Sequence, residues 1–104
     1  MAKFRVDISE PAEEDLRDIV RYISAQLSSP ATALKMMETM YEAISKLSDM
    51  PHGHPLIRDD RLASMGYRQL KIKNYIVFYT INEKQKVVDV GGILYGRRNW
   101  VNIL

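Results

Sequence analysis

The feature that most constrains the fold is a change of hydrophobic period near the middle of the chain. In the first half, apolar residues recur at intervals of three and four, as they do along one face of a helix. From Tyr67 onward they alternate with polar residues, as they do along a strand with one buried face. Because the chain has only 104 residues, we expect both patterns to belong to a single α+β domain that spans residues 1–104.

The first half predicts an N-terminal strand followed by a helical hairpin. Apolar and charged residues alternate over positions 3–8, which indicates a short strand. A helix from about Glu10 to Leu27 follows, with Ser9 as a suitable N-cap. The pattern breaks at Ser28–Pro30, where a second helix begins. Because this connection is so short, the two helices must be antiparallel neighbours.

The second half predicts three antiparallel strands joined by short turns. The first runs from Tyr67 to Lys73 and is followed by a tight turn at Asn74. The second, residues 75–82, is apolar on both faces and should lie in the middle of the sheet. The third begins near Val88, and its Gly91–Gly92 pair indicates a bulge or a bend. The predicted architecture is a helical hairpin packed on an antiparallel sheet, with a short C-terminal tail.

Composition excludes several classes of function. The chain has no cysteine, so it has no disulfide, no thiolate nucleophile and no cysteine-based metal site. His52 and His54 lack further ligands at a fixed spacing, so neither a metal nor another cofactor is predicted. The N-terminal segment carries charges where a secretory signal is apolar, and no run approaches the ~18 apolar residues of a membrane span. We therefore expect a cytoplasmic protein that does not enter a membrane.

Charge is distributed unevenly along the chain. Residues 1–50 hold 6 Lys/Arg and 9 Asp/Glu, a net of −3, whereas residues 51–104 hold 9 and 4, a net of +5. A positive C-terminal half favours a negatively charged partner, either nucleic acid or an acidic protein segment. An ordinary solvated surface is the alternative, because +5 is modest for a nucleic-acid-binding protein.

The first predicted strand of the second half carries a candidate phosphate-binding surface. Strand alternation directs Lys71 and Lys73 to the same side, about 7 Å apart, where a phosphate fits beside both. Arg97 and Arg98 follow the last strand, and guanidinium groups bind phosphate in a bidentate manner. Aromatic residues are interleaved with these cations, as in surfaces that stack single-stranded RNA bases: Tyr75, Tyr79, Tyr95 and Trp100. The alternative is a solvated sheet surface with Trp100 in the core.

Two segments resemble a known family of proteins. The order of elements, the stretch MGYRQLKIKNYIVFYTIN and the ending ILYGRRNWVNIL resemble the RelE/ParE superfamily of type II toxin–antitoxin toxins. The resemblance implies a small toxin that arrests growth and is neutralised by a cognate antitoxin. Members similar to RelE cleave mRNA on the ribosome, whereas members similar to ParE poison DNA gyrase without cutting RNA. An acidic antitoxin segment that folds on the positive half of this chain would fit the charge distribution.

The resemblance also assigns site residues. The KIK of the RelE pattern falls on Lys71 to Lys73, and the C-terminal catalytic Arg falls on Arg97 or Arg98. Two positions depart from that pattern: the middle strand has Tyr75-Ile76 where RelE has an Arg after a Tyr, and Trp100 stands where a catalytic Tyr or His is expected.

Two of the three requirements of metal-independent RNA cleavage can be assigned to residues of this chain, and the ribosome would supply the third. A group must take the 2′-hydroxyl proton, cations must stabilise the phosphorane, and the leaving oxygen needs a proton. Lys71 or Lys73 would serve as the base and Arg98 would stabilise charge. Arg68 or Arg97 would position the substrate, and Tyr79 or Trp100 would stack a base. Our first hypothesis is therefore a ribosome-dependent endoribonuclease that uses Lys71, Lys73 and Arg98. The alternatives are a gyrase inhibitor without nuclease activity and a domain without toxicity.

Overall fold

The computed structural model describes residues 3–95. Its helices and strands follow one another as β1 (Arg5–Ile8), α1 (Glu10–Leu27), α2 (Pro30–Ser45), α3 (Asp60–Ser64), β2 (Arg68–Ile72), β3 (Tyr75–Asn82) and β4 (Val87–Tyr95), with two short 3₁₀ turns at Lys46–Ser48 and Pro51–Gly53. This order confirms the predicted N-terminal strand, helical hairpin and three-stranded meander. The predicted C-terminal tail lies outside the described residues. No helix within residues 3–95 is long and apolar enough to cross a membrane.

The helical hairpin begins and ends where the sequence places its caps. Ser9 accepts a hydrogen bond from the Ala12 N–H at 3.2 Å, and Ser29 accepts one from the Thr32 N–H at 3.3 Å. Each cap pairs one of the backbone donors that the first turn of a helix leaves without a partner. Ser28 ends α1 in the left-handed conformation with φ 47°, which lets the chain reverse within two residues.

The four strands form one sheet in the order β1-β4-β3-β2. β1 is parallel to β4, whereas β2, β3 and β4 are antiparallel neighbours. Because β1 has only four residues, it pairs with β4 along Val87–Val90 and no further. Phe78 lies opposite Gly92 and Tyr79 lies opposite Val90, so Gly91 is an extra residue in β4. The predicted bulge is therefore confirmed.

The main core lies between the helical hairpin and one face of the sheet. Leu16 of α1 and Met40 and Ile44 of α2 are buried there against strand residues such as Val77 and Val88. Burial of each such side chain stabilises the fold by about 1.5–3 kcal/mol relative to an exposed position.

A smaller cluster covers the opposite face of the sheet. Ile57 and Leu62, from the segment around α3, pack on Phe78 of β3. The Asp59 side chain caps α3 by accepting a hydrogen bond from the Leu62 N–H at 3.0 Å. The sheet is thus covered on both faces near Phe78. β2 is an edge strand of this sheet.

Candidate functional site

Lys71 lies on β2, which is an edge strand, and on the sheet face opposite to the helical hairpin. Its neighbours Leu70 and Ile72 are buried in the main core, whereas the Lys71 side chain is exposed. In the β2–β3 register Lys71 lies opposite Ile76. This is the orientation that strand alternation predicts.

Lys73 does not continue the strand, so the prediction that the strand extends to Lys73 is wrong, and strand alternation does not set the direction of this side chain. β2 ends at Ile72, and Lys73 with Asn74 forms the turn into β3. Lys73 has φ 54°, a left-handed conformation in which side-chain direction no longer follows the two-residue period of a strand. Its side chain is exposed at the tip of the β2–β3 hairpin.

Arg68 is directed to the other face of the sheet. It lies opposite Tyr79 in the register and is half-buried, on the side of the main core. Its Nη1 donates hydrogen bonds to the His54 carbonyl at 2.7 Å and to the His52 carbonyl at 3.5 Å. The guanidinium group therefore binds the loop between α2 and α3, and the predicted role of positioning a substrate phosphate does not fit these contacts.

Tyr79 is fully buried, which contradicts the prediction that its ring stacks on a base. Its relative exposure is 0%, and its hydroxyl donates a 2.6 Å hydrogen bond to the Pro51 carbonyl. Burial raises the pKa of the Tyr79 hydroxyl to about 12, although the nearby Arg68 charge opposes this shift. The aromatic character of the strand was predicted correctly, but this ring belongs to the core.

Three predicted site residues, Arg97, Arg98 and Trp100, lie outside the described residues. Their roles stay predictions.

The two histidines have separate neighbours. His52 Nε2 lies 2.6 Å from Glu83 Oε2 at the surface, whereas the His54 ring meets the Tyr79 ring edge-on at 6.4 Å. Among residues 3–95, no group of three His, Cys, Asp or Glu side chains is arranged to hold a metal ion. The loop that carries both histidines is held in place by the hydrogen bonds from Arg68 and Tyr79.

Two further cations lie in the segment that covers the sheet face carrying Lys71. Arg58 and Arg61 are exposed residues of the segment that packs on Phe78. Within residues 3–95, neither arginine forms a salt bridge, and neither does Lys71. The sequence pattern did not indicate which face of the sheet this segment covers.

A groove of about 470 Å³ lies between α1 and the C-terminal half of β4, at the edge of the sheet opposite to β2. Its lining combines two carboxylates with aliphatic and aromatic side chains: Asp15, Asp18, Ile19, Tyr22, Tyr75, Ile93, Leu94 and Tyr95. Burial raises the pKa of the Asp15 carboxyl, and the hydrogen bond that it accepts from the Ile93 N–H opposes the shift. Burial likewise raises the pKa of the Tyr75 hydroxyl. The sequence analysis did not identify this groove.

Comparison with known proteins identifies the class of the chain. The sequence profile described as "ParE toxin of type II toxin-antitoxin system, parDE" matches residues 6–100. No curated protein matches the sequence. Because the profile covers most of the chain, the protein belongs to the ParE toxin family of type II toxin–antitoxin systems.

Solved structures share the fold at low sequence identity. The chromosomal ParDE system from P. aeruginosa matches with a TM-score of 0.74 and 18% identity, covering 89% of this chain and 96% of that one. The RelBE2 toxin–antitoxin complex from Mycobacterium tuberculosis matches at 0.66 and 16%, covering 89% and 98%. A free mutant of the E. coli toxin RelE matches at 0.63 and 17%, covering 99% and 93%. The fold is therefore that of the RelE/ParE superfamily.

Proposed function

We propose that this toxin arrests growth by binding and inhibiting DNA gyrase, the activity that the resemblance to ParE-like members implies. The observation that carries the proposal is that two residues predicted to bind an RNA substrate, Arg68 and Tyr79, do not lie on the surface that presents Lys71. Lys71 lies on one face of the sheet, the Arg68 guanidinium lies on the other, and Tyr79 is in the core. RNA cleavage without a metal requires a base, a charge stabiliser and a proton donor around one phosphate. An inhibitor that acts by binding needs no such convergence.

Ribosome-dependent mRNA cleavage is the second candidate. It is favoured by the exposed cations Lys71, Arg58 and Arg61, which have no acidic partner within residues 3–95. Unpaired cations on one face are suited to bind an RNA backbone. Arg98 would then stabilise charge at the phosphate, as the RelE resemblance implies.

A cognate antitoxin is the proposed partner under either mechanism. Two of the similar structures are toxin–antitoxin complexes, RelBE2 from Mycobacterium tuberculosis and RelE–RelB from Pyrococcus horikoshii, and a third is a ParDE system. By analogy, we propose that an antitoxin binds this chain and blocks its action.

A supercoiling assay with purified components tests the proposal. Gyrase is incubated with relaxed plasmid, ATP and increasing amounts of the toxin, and the plasmid topoisomers are separated on a gel. We expect supercoiling to fall as the toxin approaches a stoichiometric amount. Full supercoiling at a large excess of folded toxin would refute gyrase inhibition.

The size of the effect at Lys71 separates the two mechanisms. If the Lys71 amine takes part in proton transfer, Lys71→Ala lowers the rate of mRNA cleavage by about 10²–10⁴-fold. If Lys71 only contributes one surface charge to binding, the change in inhibition is about tenfold or less. Lys35→Ala is the matched control, because Lys35 is an exposed lysine on α2. Under our proposal, Lys71→Ala lowers potency against gyrase by at most about tenfold and Lys35→Ala leaves it unchanged.

A further inference from the structure

The groove between α1 and β4 has two chemically different walls. Asp15 and Asp18 supply carboxylates from α1. Tyr75 and Tyr95 supply rings from the sheet, and these two rings meet edge-on with centroids 5.6 Å apart. Tyr22, a residue that is 62% exposed, lines the same groove. Carboxylates beside the electron-rich faces of aromatic rings form an environment that favours a cation.

The charges around the groove are predominantly negative. Asp18 forms a salt bridge with Arg21 at 3.0 Å, and both side chains are exposed. Asp15 has no salt bridge within residues 3–95, and Glu14 lies next to it in α1. The charges of Asp18 and Glu14 each raise the pKa of the Asp15 carboxyl, although burial is the larger cause. A positively charged group of a ligand would therefore be attracted to Asp15, because it would offset the negative charges around this carboxyl group.

The groove also lies along a strand edge that has no strand partner within residues 3–95. β1 pairs with β4 only as far as Val90, whereas β4 continues to Tyr95. The Ile93 N–H is turned to this edge, where it donates to Asp15 Oδ2 at 2.9 Å. Because N–H and C=O groups of one residue point the same way in an antiparallel ladder, the Ile93 carbonyl and both backbone groups of Tyr95 also face this edge. Because the Ile93 N–H is already bonded to Asp15, the Ile93 carbonyl and the two backbone groups of Tyr95 are the groups with which an added strand can pair.

We propose that this groove receives an extended segment of the antitoxin, which pairs with the edge of β4 and places an Arg or Lys side chain between Asp15 and the tyrosines. The proposal rests on the antitoxin partnership proposed above and assigns it a site and a chemistry. Charge complementarity indicates that the segment bound here is positively charged, because the groove is acidic. The Lys71 face is basic and is complementary to a negatively charged segment. The antitoxin segment that docks here therefore differs from the acidic segment that the positive half of the chain would attract.

A peptide titration tests the proposal without cells and without gyrase. The full-length ¹⁵N-labelled chain is made by cell-free synthesis and titrated with four capped nonapeptides, acetyl-STVTXTVTS-amide, in which X is Arg, Lys, citrulline or Glu. Citrulline has nearly the shape of Arg but no charge. We expect the Arg and Lys peptides to bind at least about tenfold more tightly than the other two and to shift the amide signals of Ile93 and Tyr95. Failure of the growth-arrest or gyrase assays would leave this binding result unaffected.

Asp15→Asn is the decisive variant. The asparagine side-chain oxygen still accepts the hydrogen bond from the Ile93 N–H, so only the charge is lost. We expect the preference for the Arg peptide over the citrulline peptide to fall about tenfold. Glu42→Gln is the matched control, because Glu42 is an exposed carboxylate of α2 that pairs with Lys46 outside the groove. It should leave the preference unchanged.

Three results would overturn the proposal. The first is equal affinity for the Arg, citrulline and Glu peptides. The second is a set of signal shifts centred on Lys71, which would place the peptide on the basic face. The third concerns this chain's own cations: if Arg97→Gln with Arg98→Gln in the full-length chain raises affinity for the Arg peptide about tenfold, the C-terminal residues of the toxin itself occupy the groove.

Discussion

The hydrogen bond from Tyr79 to Pro51 gives the most quantitative prediction. Tyr79→Phe removes a hydroxyl that is fully buried and donates to the Pro51 carbonyl at 2.6 Å. Loss of a buried donor leaves its acceptor unpaired and costs about 1–3 kcal/mol. For 104 residues, at about 2.1 cal/mol/K per residue, the unfolding entropy is about 0.22 kcal/mol/K. The expected fall in Tm is therefore about 5–14 °C.

Scanning calorimetry of both proteins measures this difference. Tyr41→Phe is the matched control, because the Tyr41 hydroxyl donates to Glu13 at 3.1 Å on the exposed surface. Surface substitutions of this kind change stability by about 0.5 kcal/mol or less, so its Tm should move by no more than about 2 °C.

The same substitution also has a pH signature. The folded protein holds the Tyr79 proton up to a pKa of about 12, whereas an unfolded tyrosine releases its proton near pH ~10. The stabilisation from this group is thus fully present below pH ~10 and is lost as the pH rises toward about 12. Tyr79→Phe lacks it, so the Tm difference between the two proteins should narrow above pH ~10. A Tyr79→Phe protein within about 2 °C of wild type at neutral pH would refute the reasoning.

Gly92→Ala tests the packing of β4, and Asp15→Asn tests the charge beside it. A Cβ on Gly92 would overlap Phe78 Cζ and lie 2.8 Å from Phe78 Cε1, so Gly92→Ala should cost about 1–3 kcal/mol, measured by urea unfolding. Gly53→Ala, whose Cβ would meet nothing closer than 4.0 Å, should be neutral, and equal midpoints for both variants would contradict this account. For Asp15, the raised pKa means that the folded state binds the proton more tightly than the unfolded state, so its charge lowers stability above the folded pKa. Asp15→Asn should therefore raise Tm at pH 7, and this advantage should disappear as the pH falls toward ~4; a lower Tm than wild type at pH 7 would show that the charge stabilises the fold.

The spacing at which apolar residues recur along the sequence was sufficient to predict the architecture of this chain. The helical hairpin follows from the spacing of apolar residues and from the break at Ser28–Pro30, and the bulge follows from Gly91–Gly92. Each of these signals is local in sequence, so each could be read without knowing the tertiary contacts.

The candidate site depended on contacts that are not local. Alternation places Lys71 correctly but fails at Lys73, because the strand ends one residue earlier in a left-handed turn. Arg68 and Tyr79 are positioned by the carbonyl groups of residues 51–54, which are more than ten residues away along the chain. Sequence pattern gives the face of a side chain, but it does not give the partner that the side chain meets there.

The groove beside β4 was not predicted for a related reason. It exists because β1 is shorter than the strand that it pairs with, so that β4 extends past β1 to Tyr95. The length difference becomes visible only when the strand order is known, since β1 and β4 are at opposite ends of the described chain.

One pulse-expression experiment tests the proposed mechanism most directly. The toxin is induced briefly in growing cells, and plasmid topology and the 5′ ends of transcripts are measured in the same samples. We predict that plasmids lose negative supercoils while transcripts stay intact. Unchanged plasmid topology together with newly cut transcripts would contradict gyrase inhibition and assign the toxin to the mRNA-cleaving members of its superfamily.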